Sequence, residues 1–205
     1  MDELEFLKKD WQKKEKELPK LSYEAIYAML WKKSSSSIKW IFYISLIELG
    51  IGILLSIFYH PSFEKDFPMP TFLNWLTYAS VLVIFYFIFK FYKNYRRVST
   101  TSSVKGLLES IIKARRTVRH YIVFNISFAG ILGIVTIVYV SIQQQGGWDS
   151  FVSGAETKDY LVIFVVAIVS TAIIVGLFLG IYYLLYGILM KRLKRNYREL
   201  KKIEV

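Results

Sequence analysis

Four apolar blocks, each long enough to cross a bilayer, constrain this 205-residue chain more than any other feature. A helix needs roughly 20 apolar residues to cross a hydrocarbon core about 30 Å thick. The four prolines all lie between the blocks, so each block is predicted to be one unbroken helix whose backbone groups are satisfied internally. The predicted fold class is an all-α polytopic membrane protein with four transmembrane helices, at residues 38–59, 72–91, 121–142 and 160–190.

The distribution of basic residues predicts the direction of the spans. Residues 1–37, the loop 92–120 and the tail 191–205 hold 23 of the 27 Lys and Arg residues, whereas the loops 60–71 and 143–159 hold one each. The positive-inside rule therefore predicts a multi-pass protein of the bacterial cytoplasmic (inner) membrane with both termini in the cytoplasm. The formal net charge of +11 is then interpreted as a topology signal.

The chain is predicted to have two parts. Residues 1–37 form a cytoplasmic N-terminal helical segment, and residues 38–205 form a four-helix transmembrane domain that includes the basic loop 92–120 and the tail 191–205. The first 37 residues are charged throughout, so we expect no cleavable signal peptide, and the first span is expected to stay as an anchor.

The cytoplasmic segments carry amphipathic helical patterns. Helices are predicted over residues 2–18, 22–33 and 103–118, the last running into the third span, and the fourth block is predicted to continue as a helix into the tail. A serine run, Ser34 to Ser37, is predicted to separate the second helix from the first span. The residues predicted to face a partner or lipid on these helices are Tyr23, Ile26, Tyr27, Leu30, Trp31, Leu107, Leu108, Ile111, Arg115 and Arg116.

Two interpretations of these basic amphipathic helices stay open. In the first, they lie on the inner leaflet with their apolar faces in the lipid bilayer and their lysines near anionic lipid head groups. In the second, they form a cytoplasmic bundle that binds a protein partner. Nucleic acid is the least favoured partner, because positive-inside sorting already accounts for the charge.

Glu48 is the one ionisable residue deep in a span, and it is predicted to lie near the bilayer centre. A charge there costs roughly 3 kcal/mol or more on insertion scales. Glu48 is therefore either a neutral, hydrogen-bonded packing residue or a proton or cation site. The candidate hydrogen-bond partners at similar depth on other spans are Ser80, Ser170 and Thr171.

Small residues spaced by four predict close helix–helix contacts on three spans. A homo-oligomer is also kept as an alternative. The predicted packing residues are Gly52 and Ser56 on the first span, Asn125, Ala129 and Gly133 on the third, and Ala172, Gly176 and Gly180 on the fourth.

The sequence offers no pattern for catalysis. The chain has no cysteine, and its two histidines, His60 and His120, are predicted on opposite membrane faces, where they cannot share a metal ion. Zinc-protease, serine-hydrolase, phosphate-loop and dinucleotide-binding motifs are absent from the sequence. We therefore expect no enzymatic activity, no cofactor and no metal.

Three segments carry a resemblance to a known family: Leu-Pro-Lys-Leu-Ser-Tyr-Glu-Ala-Ile-Tyr at 18–27, Arg-Arg-Thr-Val-Arg-His-Tyr at 115–121, and Arg-Asn-Tyr-Arg-Glu-Leu-Lys-Lys at 195–202. The chain resembles an uncharacterised family of four-span inner-membrane proteins of Bacteroidota. Members often carry an automatic beta-carotene monooxygenase label. That class holds iron with four histidines on a soluble propeller, which two histidines cannot supply, so we reject the label. Members also look like neighbours of sigma-factor genes, which implies a regulatory, anti-sigma-like role.

Two functions are carried forward from the sequence. The first is a non-enzymatic inner-membrane interaction or regulatory protein that binds a cytoplasmic partner through its amphipathic helices. The second is a small proton-coupled transporter that uses Glu48 as its intramembrane proton or cation site. In outline the second is similar to small multidrug-resistance transporters, which are shorter and lack long basic segments.

Overall fold

The computed structural model describes residues 5, 7–9, 22–58, 69–101 and 103–203. Most of the helix predicted over residues 2–18, and most of the loop 60–71, lie outside these residues. The described chain is all helical, with no strand in the ranges given above. The predicted all-α class is therefore confirmed.

Six α-helices account for nearly all of the described chain, and one π-helical turn, Tyr183–Gly187, joins the last two into an almost continuous rod. Their bounds are Tyr23–Phe58 (α1), Thr71–Thr100 (α2), Val104–Gln144 (α3), Trp148–Gly154 (α4), Thr157–Tyr182 (α5) and Ile188–Ile203 (α6).

Four helical stretches are long and apolar enough to cross a membrane: α1, α2, α3 and the α5–α6 rod. We call each of these four stretches a rod. The chain is therefore a multi-pass membrane protein. The predicted continuation of the helix at 103–118 into the third span is confirmed by α3, and the predicted extension of the fourth span is confirmed by the α5–α6 rod.

Local sequence signals fix the helix ends. The Ser103 hydroxyl accepts a hydrogen bond from the Gly106 N–H at 3.2 Å and so caps α3. Glu156 and Asp159 form a reciprocal capping box at the start of α5. Between α3 and α4, Gly146 and Gly147 take φ values of 92° and 89°, a left-handed conformation that glycine adopts without strain.

The predicted break at the serine run is wrong, because α1 passes through it without interruption. Ser34 and Ser37 are buried, and the Ser37 hydroxyl donates to the Lys33 carbonyl at 2.9 Å, so it is satisfied inside the helix. Within the basic loop 92–120, α2 continues to Thr100 and α3 begins at Val104, so most of this connection between the second and third spans is helical.

Packing divides the rods into two regions. We call the first the basic bundle and the second the apolar half. The basic bundle comprises residues 24–48, 87–100, 104–121 and 182–203, and the apolar half comprises residues 49–58, 71–86, 122–144 and 157–181. The main hydrophobic core lies wholly in the basic bundle, where its buried residues are Leu30, Ile38, Ile41, Phe87, Phe91, Val98, Leu107, Leu108, Ile111, Ala114, Val118, Tyr121, Tyr182, Tyr186, Leu189, Leu193 and Leu200.

The apolar half is packed much more loosely. In the most apolar stretch of each rod, only 6% to 22% of the residues are buried. Large aliphatic side chains point outward on every rod, as Leu55, Leu82, Ile131 and Leu161 do. A helix that is apolar on all sides but exposed in the monomer is suited to lipid, which is as apolar as these side chains.

Candidate functional site

Glu48 lies where the basic bundle meets the apolar half, and both of its carboxylate oxygens accept hydrogen bonds. The Tyr182 hydroxyl donates to one oxygen, and the Tyr186 hydroxyl donates to the other at 3.1 Å. These bonds join α1 to the middle of the α5–α6 rod, where α5 ends and the π-helical turn follows. Glu48 is half-buried, and these bonds give each oxygen of its carboxylate a donor.

The π-helical turn brings the two tyrosines to the same carboxylate. Tyr182 precedes the turn and Tyr186 lies within it, four residues later, so both side chains project from one face of the rod. The turn ends at Gly187, where an added Cβ would lie 3.1 Å from the ring of Tyr183. Single π turns in otherwise α-helical rods often occur at functional sites.

Aromatic rings pack beside the carboxylate. The Tyr121 ring packs edge-on against Tyr182 and Tyr186, with centroids 6.2 and 6.0 Å apart. Phe87 and Phe91 pack edge-on against Tyr121, at 5.5 and 5.4 Å. We call Glu48, Tyr121, Tyr182 and Tyr186 the Glu48–tyrosine cluster. The ring contacts hold the two tyrosines that donate to Glu48 in place.

The depth predicted for Glu48 in the bilayer stays a prediction. Within the chain, Glu48 contacts Tyr186, which lies four residues before the end of the predicted fourth span. Ile38 and Ile41, which open the predicted first span, are each 1% exposed, so this part of α1 packs against other helices.

The polar partners predicted for Glu48 lie elsewhere. The Ser80 hydroxyl donates to the Thr77 carbonyl at 2.7 Å. Thr171 is buried against Gly133, and Ser170 is half-buried on the same helix. The donors to Glu48 are Tyr182 and Tyr186 instead of these three residues. The available signal was the spacing of Tyr182 and Tyr186, two hydroxyl-bearing residues four apart on an uncharged span.

One of the three predicted small-residue faces packs within the chain. An added Cβ at Gly133 would lie 3.2 Å from the Thr171 hydroxyl oxygen, so α3 and α5 approach closely there. On the same face, Ala129 is half-buried, and the Asn125 side chain donates to the Tyr121 carbonyl at 2.9 Å within its own helix. This face therefore contributes directly to the contact between α3 and α5.

The other two small-residue faces touch no described part of the chain. An added Cβ at Gly52, Gly176 or Gly180 would meet nothing within 4 Å among the described residues. Ser56 and Ala172, on the same two faces, are exposed. These faces are open to lipid in the single chain.

The residues predicted to face a partner or lipid divide into two groups. Leu30, Leu107, Leu108 and Ile111 are buried in the core, which corrects the prediction, because the apolar faces of the helices meet one another. The remaining residues lie at or near the surface of the basic bundle. Ile26, Tyr27 and Trp31 pack against the core, Arg115 is half-buried, Arg116 is exposed, and the side chain of Tyr23 lies outside the described set.

Trp31 shows how the core of the basic bundle is closed. Its indole N–H donates to the Val98 carbonyl at 3.1 Å, near the end of α2. One turn further along α1, the Asn196 amide donates to the Ser34 hydroxyl at 3.1 Å in a buried contact with α6. These bonds fix α1 between α2 and α6 by directional contacts as well as by apolar packing.

The four long apolar rods define a polytopic α-helical membrane protein. Its apolar half is suited to lipid, and the Glu48–tyrosine cluster lies where that half meets the basic bundle. The chain belongs to the family described as Domain of unknown function (DUF8845), which matches residues 24–205. No curated protein and no solved structure matches the chain. Among the residues that the structure describes, no three His, Cys, Asp or Glu side chains gather into a group that could hold a metal ion.

Proposed function

We propose that this is a bacterial inner-membrane protein with both termini in the cytoplasm, acting without catalysis as an interaction or regulatory protein. In this proposal the basic bundle stands in the cytoplasm, and its amphipathic helices present the binding surface. The charge distribution supports this orientation, because 23 of the 27 Lys and Arg residues lie in the N-terminal segment, the loop 92–120 and the tail.

The observation that carries the proposal is that the basic bundle has its own core and a cationic exterior. Its apolar faces are already occupied by one another. On α3, Lys105, Lys113 and Arg116 are exposed, and on α2, Lys93 and Arg96 are exposed. A rigid cationic surface selects an acidic protein surface by electrostatic complementarity. The family resemblance adds one regulatory form of this function, anti-sigma-like binding.

Removal of positive charge from α3 tests the proposed binding face. The full chain is crosslinked in cells and purified in mild detergent, alongside a triple variant with Lys105→Gln, Lys113→Gln and Arg116→Gln. A matched control carries Lys194→Gln, Arg198→Gln and Lys201→Gln, which removes the same charge from α6. We expect a stoichiometric cytoplasmic partner to be lost from the first variant and kept by the control. A partner retained by both variants contradicts the proposal.

The Glu48–tyrosine cluster favours a second candidate, a small proton-coupled transporter. Its specific support is a half-buried carboxylate that accepts hydrogen bonds from two tyrosine hydroxyls. Against it, transport sites for alternating access lie near the bilayer midplane, whereas Glu48 lies where the basic bundle meets the apolar half. Uptake of a cationic dye into proteoliposomes tests it with Glu48→Gln, using the exposed Glu199→Gln as control. Flux that is equal in all three proteins eliminates the transporter.

A further inference from the structure

A cavity of about 480 Å³ lies between α1 and α6 within the basic bundle. It is separate from the Glu48–tyrosine cluster, since none of the four cluster residues lines it. Lys32 and Lys33 line it from α1, and Arg192 and Arg195 line it from α6. No acidic side chain is among its lining residues in the described chain.

Four cations around one small cavity repel one another, and a bound anion would relieve that repulsion. The nearby acid Glu199 lies 3.8 Å from the Nε atom of Arg195, but both side chains of this pair are well exposed, so the pair is weak. Two guanidinium groups on one wall are suited to a phosphate, because each can donate two parallel N–H bonds. Ser36, which also lines the cavity, adds a neutral hydroxyl donor.

The wall of the cavity is held in place by buried contacts. Asn196, which lines it, is 2% exposed and donates to Ser34 at 3.1 Å. The serine run gives α1 a surface of small side chains, so α6 can approach closely at Ser34 while Lys33 and Ser36 stay beside the opening. A preorganised wall binds an anion with less ordering of side chains than separate surface lysines would need.

The position of the cavity indicates where its ligand comes from. Trp40, which lines the cavity at the beginning of the first apolar block, is 56% exposed. Exposed tryptophan side chains favour the membrane–water interface, the depth at which lipid phosphates lie. Basic pockets between helices on the cytoplasmic side bind anionic headgroups.

We propose that this cavity is a binding site for a phosphate-bearing anion, and that an anionic phospholipid headgroup is its source. The phosphate chemistry follows from the lining residues alone. The choice of lipid rests on the topology in the proposed function, which puts the cavity at the inner leaflet.

Native mass spectrometry of the purified full chain in neutral detergent tests the site. The probes are a short-chain phosphatidylglycerol, a phosphatidylcholine of equal chain length, and inorganic phosphate. We expect phosphatidylglycerol to bind more tightly than phosphatidylcholine. The double variant Arg192→Gln/Arg195→Gln should weaken that binding at least about tenfold, because it removes both guanidinium groups that line the cavity and would donate to the phosphate. The control Lys194→Gln/Arg198→Gln removes equal charge from outside the cavity and should change binding less than about twofold.

The outcomes separate the site from general surface charge. Equal losses in the two double variants, or equal binding of the two lipids together with no phosphate binding, overturn the proposal. Phosphate binding that depends on Arg192 and Arg195 without lipid preference supports the site and overturns the lipid source. If the arginine variant does not fold by circular dichroism, Lys32→Gln/Lys33→Gln removes the other half of the charge and must show the same loss. No cytoplasmic partner is present in this assay, so its failure is distinguishable from failure of the proposed function.

Discussion

The basic bundle and the apolar half are built from the same continuous helices, yet the main hydrophobic core of buried side chains lies only in the first. On α3, Leu107 and Ile111 are 0% exposed in the basic bundle, whereas Ile131 is 61% exposed in the apolar half. In lipid, the hydrophobic drive between helices is absent, and close contact depends on small residues and hydrogen bonds. The proposed topology puts the basic bundle at the cytoplasmic end of the spans, where water drives apolar side chains together.

The largest expected difference comes from equal truncations in the two regions. Leu193→Ala removes a side chain that is 0% exposed in the core, and we expect it to destabilise the fold by about 2–5 kcal/mol. Leu161→Ala removes a side chain that is 59% exposed, and we expect a change within about 0.5 kcal/mol. Denaturant unfolding in mixed micelles measures both variants. Equal effects would remove the distinction between the two regions.

The boundary between the regions is tested at Glu48. Glu48→Leu leaves the Tyr182 and Tyr186 hydroxyls without their acceptor, and we expect a loss of about 2 kcal/mol. Glu48→Gln keeps an acceptor of similar shape and should lose less than about 1 kcal/mol. The same unfolding assay compares them. If Glu48→Leu is as stable as the wild type, the cluster does not hold α1 to the α5–α6 rod.

The packing within the apolar half differs from one helix face to another, and substitutions at Gly133 and Gly176 test this difference. Gly133→Val places a branched side chain against Thr171, where even a Cβ lies 3.2 Å from the hydroxyl oxygen, so we expect about 1–2 kcal/mol of destabilisation. Gly176→Val enters space that is empty in the single chain and should change stability by less than about 0.5 kcal/mol. A large loss at Gly176, together with a halved mass by light scattering, would instead indicate a second copy packed on that face.

The smallest expected effect is the interaction energy between Ser34 and Asn196 in the basic bundle. Ser34→Ala, Asn196→Ala and the double variant form a mutant cycle across α1 and α6. Because the hydrogen bond is buried and joins two helices, we expect a coupling of about 1 kcal/mol. Strictly additive losses in thermal unfolding would show that this bond does not fix α6 against α1.

Helix number and class were predictable because lipid demands long uninterrupted apolar runs, and the sequence shows four of them. The burial of Ile38 and Ile41 was not predictable, because hydropathy does not distinguish side chains packed against other helices from side chains that face lipid. The serine run was misread for a related reason. Serines are typical of linkers, but here their small size lets α6 approach α1, and that contact lies 162 residues away in sequence.

The candidate site was predictable only in part. Glu48 stood out because an acid within an apolar block has few explanations. The spacing of Tyr182 and Tyr186 puts them on one helix face, but the sequence does not show that this face meets Glu48, which lies 134 residues from Tyr182. The basic cavity depends on two helices that are far apart in the chain, so its lysines and arginines could not be assigned to one place.

Single-cysteine labelling tests most directly whether the basic bundle is a packed cytoplasmic domain, because the chain has no cysteine of its own. A membrane-impermeant maleimide is applied to intact spheroplasts and then to permeabilised ones. We predict that Lys158→Cys reacts in both, that Lys105→Cys reacts only after permeabilisation, and that Leu107→Cys stays protected in both until the protein is denatured. Rapid labelling of Lys105→Cys in intact spheroplasts would contradict the orientation, and rapid labelling of Leu107→Cys after permeabilisation would contradict the packed bundle.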